Sequence, residues 1–435
     1  MKRILLYTMM ALVTLAACNK ESNDVFDKTP NERMQEKLAA YQTALQGAQY
    51  GWNAELTTES GAIYNFHFSF NDAARVKTFA DIDTGTASVE KESSYRLKAL
   101  QQPALLFDTY TYLHILADPD GSVNGGDNGI GLATDFEFSL DTLAADSIKL
   151  TGRQHGTKMT LKRSTQADYQ AWTGGTWRSS VLFQATGAYI QNYFKRLTIG
   201  AKQYEMRINP TARTVTFIWI DGVTTKTHTT SYYFTSTGVE FTNPLVDGTT
   251  TINYLANLSW NSGLVSFQLN VNGATAASIG GAIAPISNDV NAPQRWWQTM
   301  VISDGYWVSL NGFHVNGVDD AYKVRSIPNF YFLAFFPRFG TDQGITYDLA
   351  GYVMLENGGL ALNFGSAFSP PVFANGRVRF NYIGDLGDLP ADINPYVGTT
   401  LQFMDTAGFY LVQTSATSYD MVSARDAKAW ITWVQ

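Results

Sequence analysis

The chain has 435 residues, of which 45% are hydrophobic, 14% aromatic and only 16% charged, with a formal net charge of −7. That length exceeds the ~250–300 residues at which one core stops growing, so two or three domains are expected, while the acidic balance excludes the basic footprint of a nucleic-acid binder. A single cysteine, Cys18, excludes an internal disulfide and leaves stability to apolar cores.

In chain order, Lys2 and Arg3 precede the apolar run from Ile4 to Thr14, and Leu15-Ala16-Ala17-Cys18 follows. A basic start, a short apolar stretch and small residues before a cysteine form a lipoprotein signal: residues 1–17 are the signal peptide, cleavage falls between Ala17 and Cys18, and Cys18 takes the lipid. The apolar run breaks at Asn19-Lys20-Glu21, short of the ~20 residues a membrane span needs. The acyl chains on Cys18 are therefore the expected membrane attachment. Residues 18–29, polar and mostly small at their start, read as a tether.

Residues 30–165 read as a helix followed by a β domain. Thr29-Pro30-Asn31-Glu32 offers a hydroxyl cap, a proline at the first helical position and a glutamate placed to close a capping box. Met34, Leu38, Tyr41 and Leu45 then share one face. From Trp52 the period becomes two: Tyr64, Phe66, Phe68 and Phe70 fall on one side of a strand, Asn65, His67 and Ser69 on the other. A hairpin through Asn71-Asp72 leads to Arg75-Val76-Lys77-Thr78-Phe79, and similar strands recur at 135–140, 147–151 and 157–162.

Thr165-Gln166-Ala167-Asp168 starts a short helix that ends at Thr173-Gly174-Gly175, and a second β domain, residues 166–290, has strands opening at Trp177. Its clearest strands are 204–208, 214–220, 230–235 and 265–271, with turn chemistry at Asn209-Pro210, Asp221-Gly222 and Asn272-Gly273. The small-residue stretch Gly273 to Asn291 reads as a linker. A C-terminal β domain, residues 291–435, carries strands at 330–336, 351–355, 377–382 and 428–433. The fold class expected is mainly β, in antiparallel meanders that are sandwich-like or open barrels, with one N-terminal amphipathic helix.

Candidate chemistry is sparse. The five histidines, His67, His114, His155, His228 and His314, lack metal-ligand spacing, and no HExxH, CxxC, GxSxG or phosphate loop is present. Asp118-Pro119-Asp120-Gly121-Ser122-Val123-Asn124, with Asp127, alternates oxygen groups in a way that suits calcium. It departs from an EF-hand at Val123 and Gly129, and the alternative is a turn whose side chains bond their own backbone. Asp319-Asp320 and Asp385 with Asp388 are carboxylate pairs of a type glycosidases use. Trp297 and Trp307 are candidates to stack on sugar rings; adjacent strand residues point to opposite faces, which leaves at most one of Trp296 and Trp297 exposed.

The stretch from Pro30 to Trp52 is followed by Glu92-Ser93-Ser94-Tyr95-Arg96-Leu97, then Leu106-Phe107-Asp108-Thr109-Tyr110, and then the text from Leu116 to Gly126. With Asp135-Phe136-Glu137-Phe138 and Ile148-Lys149-Leu150-Thr151-Gly152-Arg153, these residues make the chain resemble the Bacteroidota lipoproteins grouped as domain of unknown function 4302. Lys20, Glu21 and Asp24, just after the lipidated cysteine, resemble a surface-export tag of such lipoproteins. The resemblance implies an outer-membrane lipoprotein on the cell surface, like those found beside SusC-like TonB-dependent transporters, SusD-like lipoproteins and zinc metallopeptidases. It supplies no catalytic residue. The leading expectation is a non-enzymatic binding or accessory component of a TonB-dependent, SusCD-like uptake system, with a glycan or peptide ligand and no nucleic acid. The alternatives are a glycan hydrolase with carboxylates from separate strands, or a calcium-stabilised adhesin-like module.

Overall fold

The computed structural model describes residues 28–435, so Ala17, Cys18 and the tether through residue 27 lie outside the described residues. Pro30–Gln46 is the capped helix: the Thr29 hydroxyl accepts the Glu32 N–H at 3.3 Å and the Glu32 carboxylate accepts the Thr29 N–H at 2.9 Å, closing the predicted box. Tyr41 and Leu45 turn into the protein, where the Trp52 indole donates to the Leu45 carbonyl at 3.1 Å.

Eight antiparallel strands, from Trp52–Thr57 to Lys158–Arg163, pair in sequence order, and the last pairs back onto the first to close a barrel. An eight-stranded barrel is just wide enough for side chains to fill. Tyr64, Phe66, Phe68 and Phe70 do so from the strand Ile63–Phe70, with the Phe68 ring tilted against Phe107 at a centroid distance of 5.2 Å. His67 points outward as the alternation requires, yet it is buried, because the helix Gln166–Thr173 lays Tyr169 5.5 Å from its ring. Its Nε2 lies 2.8 Å from the Tyr50 carbonyl, and burial holds the imidazole below its ordinary range.

A second closed barrel has eight strands from Phe194–Ile199 to Thr275–Ala282. Two expectations fail here. The first is the linker, since Thr275–Ala282 is the strand that closes the barrel. Its small residues are there for space: a Cβ on Gly281 would sit 2.1 Å from the Asn192 side-chain oxygen. The second is a strand at Trp177. Residues Thr176–Val181 and Thr186–Tyr189 are helical, and Trp177, Val181 and Phe183 fill the barrel core instead.

The remaining chain forms an open eleven-stranded antiparallel sheet whose path ends at Val372–Ala374 and Tyr382–Gly387. Helices Ala292–Ser303 and Asn394–Phe403 pack against it, and Trp296, Phe335, Phe380, Phe403 and Trp433 form its core. The fold is thus mainly β and antiparallel, as the sequence pattern predicts. Among the described residues, no helix is long and apolar enough to cross a membrane.

Candidate functional site

The second barrel meets the rest of the protein on two faces, and each holds a cation, Arg213 buried and Lys195 half-buried. On the face toward the first barrel, Arg213 has no exposed surface. It occupies the turn before the strand Thr214–Asp221 with φ of +48°, a conformation that costs a bulky residue about 1–3 kcal/mol. The conformation aims the guanidinium at Asp81 of the first barrel. Nη2 donates to the Asp81 carboxylate at 3.0 Å and to its backbone carbonyl at 2.6 Å, and Nη1 donates to the carboxylate at 3.3 Å and to the Ile63 carbonyl. The Tyr64 and Phe234 rings lie 3.7 and 4.8 Å from the guanidinium carbon. Asn65 joins the pair by donating to Asp81 at 2.8 Å and to the Phe234 carbonyl at 3.0 Å. Burial, the largest single effect, pulls the guanidinium down, but the charge and hydrogen bonds of Asp81 together with Tyr64 and Tyr232 outweigh it, and the net shift is upward. Trp172 stacks between Trp177 and Phe79 on the same side, with ring centroids 4.1 and 6.0 Å away. This face is an ion-paired joint, in which the Arg213 Nε alone of the guanidinium nitrogens has no hydrogen-bond partner.

The face toward the open sheet differs. Asn192 donates to the Asp426 carbonyl at 2.8 Å, the Tyr193 hydroxyl donates to Asp420 at 2.6 Å, and Phe194 packs with Val412, Val422 and Ala427. Burial, with Asp420 beside it, raises the Tyr193 phenol well above its ordinary value. One residue on is Lys195. Alternation places it with Leu197 on the inward face of the strand Phe194–Ile199, and Met206, a core residue of the barrel, lies opposite it in the ladder. Lys195 therefore projects into the end of the second barrel, where a cavity of about 360 Å³ is bounded by the helical turn at Thr186–Tyr189, by Met206 and Ile208, and by Thr414 and Trp430 of the open sheet.

Lys195 forms no ion pair among the described residues, and its one hydrogen bond goes to the Asn192 carbonyl at 3.1 Å. Burial pushes its ammonium down to about 8. The neighbouring acids are engaged elsewhere: Glu205 accepts from Arg207 at 3.3 Å and from the Ile286 N–H at 2.8 Å, and Asp420 accepts from Tyr193 and, at 2.6 Å, from Thr432. Gln184, also in the wall, has a buried amide oxygen without a partner. A half-buried charge without an ion-pair partner, beside a cavity in a barrel mouth, is an arrangement that binding sites favour. Sequence reasoning passed over Lys195; the available signal was a lysine on the same face of a strand as Leu197.

The residues singled out from sequence lie elsewhere. Asp118 accepts the Asp120 N–H at 3.0 Å and the Tyr110 hydroxyl at 2.7 Å, and Asp120 caps the turn Gly121–Asn124 through the Ser122 N–H at 2.9 Å. Asn124 donates to the Ile115 and Asp118 carbonyls, each at 2.9 Å, and accepts the Gly126 N–H at 2.8 Å. Asp127 contributes its backbone to a bridge with Gly131. The loop's polar groups thus serve its own backbone, and the described residues contain no group of three His, Cys, Asp or Glu able to hold a metal ion. This is the arrangement of the alternative reading, a turn whose side chains bond their own backbone.

The tryptophan expectation is corrected. Trp296 and Trp297 lie on a helix, not a strand, and Asn291-Ala292-Pro293 was the readable start signal. Trp307 is 1% exposed, its indole donating to the Trp296 carbonyl at 3.0 Å, so neither ring face is open to a sugar. Trp297 is half-buried, its edge against Phe373 and its indole N–H on the buried Asp348 at 2.7 Å. Burial pushes that carboxyl up to about 6. Of the carboxylate pairs, Asp319 bonds His314 at 2.5 Å, Asp320 caps the turn at Val324 and Arg325, and Asp385 accepts two tyrosine hydroxyls. Asp388 instead joins Glu356 and Asp392 around a cleft of about 600 Å³ at the end of the open sheet, floored by Ile327, Met354 and Phe364.

No curated protein matches the chain. Among solved structures, the PCNA2–PCNA3 complex from Sulfolobus tokodaii is 9% identical, covering 58% of this chain and 92% of that one, with a TM-score of 0.12. A likeness that weak carries no argument. Residues 22–262, which take in the first barrel and the second barrel through the strand Thr250–Asn261, match the family described as Domain of unknown function (DUF4302). That match spans more than half of the chain, and the chain belongs to this family.

Proposed function

We propose that this chain is a lipid-anchored, non-enzymatic binding or accessory protein of a TonB-dependent, SusCD-like nutrient-uptake system on the outer-membrane surface of a Bacteroidota-type cell. The observation that carries the reading is the cavity at the end of the second barrel, where Lys195 is held half-buried and without an ion-pair partner between two parts of the protein. The run ending at Cys18, the charged Lys20, Glu21 and Asp24, and the family membership support the location. The test is purification of the native protein from outer membranes: a TonB-dependent transporter and a SusD-like lipoprotein should accompany it. Cys18→Ser should move the protein to the soluble fraction. A freely secreted product with an unmodified amino terminus beyond residue 18 contradicts the proposal.

A second reading, a glycan hydrolase, draws on the cleft bearing Glu356 from a strand end and Asp388 and Asp392 from one connecting loop. Turnover on a panel of glycans that Glu356→Gln abolishes would favour it over a binding role.

A further inference from the structure

We propose that the cavity at the end of the second barrel binds a small monocarboxylate, with Lys195 receiving the carboxylate group. The inference rests on reading that cavity as a binding site and names the chemistry it selects. An ammonium has three donors, and the Asn192 carbonyl takes one of those of Lys195. The others face a space whose nearby acids are already committed: Glu205 to Arg207 and the Ile286 N–H, Asp420 to Tyr193 and Thr432.

Lys195 itself therefore has no carboxylate partner, and a single carboxylate in the cavity supplies one through charge-assisted hydrogen bonds. A phosphate dianion would leave excess negative charge in a buried space, because the guanidinium of Arg207 at the rim is already on Glu205. Met206, Ile208, Pro210 and the edge of Trp430 give the ligand body an apolar wall. The Trp430 ring is already engaged, stacked on His314 at 3.7 Å and in a T-shaped contact with Tyr193 at 5.5 Å. At about 360 Å³ the space suits an acid sugar or a short peptide carrying its terminal carboxylate.

The test is calorimetric titration of the mature full-length protein at pH 7 with galacturonate and with glycyl-leucine, against their neutral counterparts galactose and glycyl-leucinamide, and against inorganic phosphate. At least one acid should bind, with its neutral counterpart at least about ten-fold weaker, as expected for losing a charged hydrogen bond. Lys195→Met should cost the acid a similar factor, while its melting temperature, which should not fall, shows that it folds. Which acid binds separates a sugar source from a peptide source. The proposal is overturned if neither acid binds, if acid and neutral counterpart bind alike, if Lys195→Met binds normally, or if phosphate binds more tightly than both acids. Co-purification of the transporter with Lys195→Met separates the two readings, since it persists if only the ligand chemistry is wrong.

Discussion

Arg213, fully buried, and Lys195, half-buried, are both cations at the rim of the second barrel, and the protein treats them in opposite ways. Arg213 meets Asp81, two backbone carbonyls and two aromatic faces. Lys195 meets one carbonyl and a cavity. A buried charge paired with a carboxylate joins two parts of a protein, and removing one partner leaves the other stranded in a medium that cannot solvate it. A half-buried charge without a counter-ion lowers stability in the free protein and is useful only when something arrives to neutralise it.

The largest expected effect breaks the ion-paired side. Asp81→Ala should destabilise the protein by about 3–5 kcal/mol in urea unfolding, because it leaves the Arg213 guanidinium buried without its carboxylate. Replacing both residues together, Asp81→Leu with Arg213→Met, should cost much less. A cost for the pair equal to that for Asp81→Ala alone would mean that the joint depends on more than charge compensation.

The second effect has the opposite sign. Lys195→Met should stabilise the protein at pH 7 by up to about 3 kcal/mol, the equivalent of lowering the ammonium from 10.5 to about 8. The pH dependence follows. Between about 8 and 10.5 the unfolded chain holds this proton and the folded protein does not, so stability rises with pH across that window. Below about 8 the penalty is complete. Urea unfolding at pH 7.5 and 9.5 should show the rise in the native protein, and Lys195→Met should lack that contribution.

Smaller effects sharpen the contrast. Tyr193→Phe removes the hydroxyl that donates to Asp420 on the Lys195 face and should cost about 1 kcal/mol in the same assay. Lys202, in the same hairpin as Lys195, is 43% exposed and pairs with Asp247 at 2.7 Å. Lys202→Met should change stability by no more than about 1 kcal/mol, and in the destabilising direction. Two lysines in one hairpin thus respond to one substitution with opposite signs.

Local signals in the sequence were strong where the chemistry is local. The box at Thr29 and Glu32, the short helix capped at Thr165 and the alternation from Tyr64 to Phe70 all form as expected, because each depends on residues within a few positions. What depends on distant partners was not legible. Closure of a barrel is set by strand tilt and stagger, which no single strand encodes. The strand Thr275–Ala282 looked like a linker because its small residues make room for Asn192 of another segment. Trp307 looked available to a sugar until the sheet and the helix bearing Trp296 closed over it. Lys195 carries no motif, and its meaning comes from Met206 across the ladder and from acids that are occupied elsewhere.

The most direct measurement is the titration of Lys195 itself, followed by heteronuclear NMR on protein with ¹³Cε-labelled lysine, with Lys195→Met assigning the resonance. Free protein should titrate near 8, and saturating galacturonate or glycyl-leucine should move that midpoint upward as a carboxylate settles beside the ammonium. A midpoint near the ordinary 10.5 that neither acid moves would contradict the claim that this lysine is a half-buried charge awaiting its counter-ion.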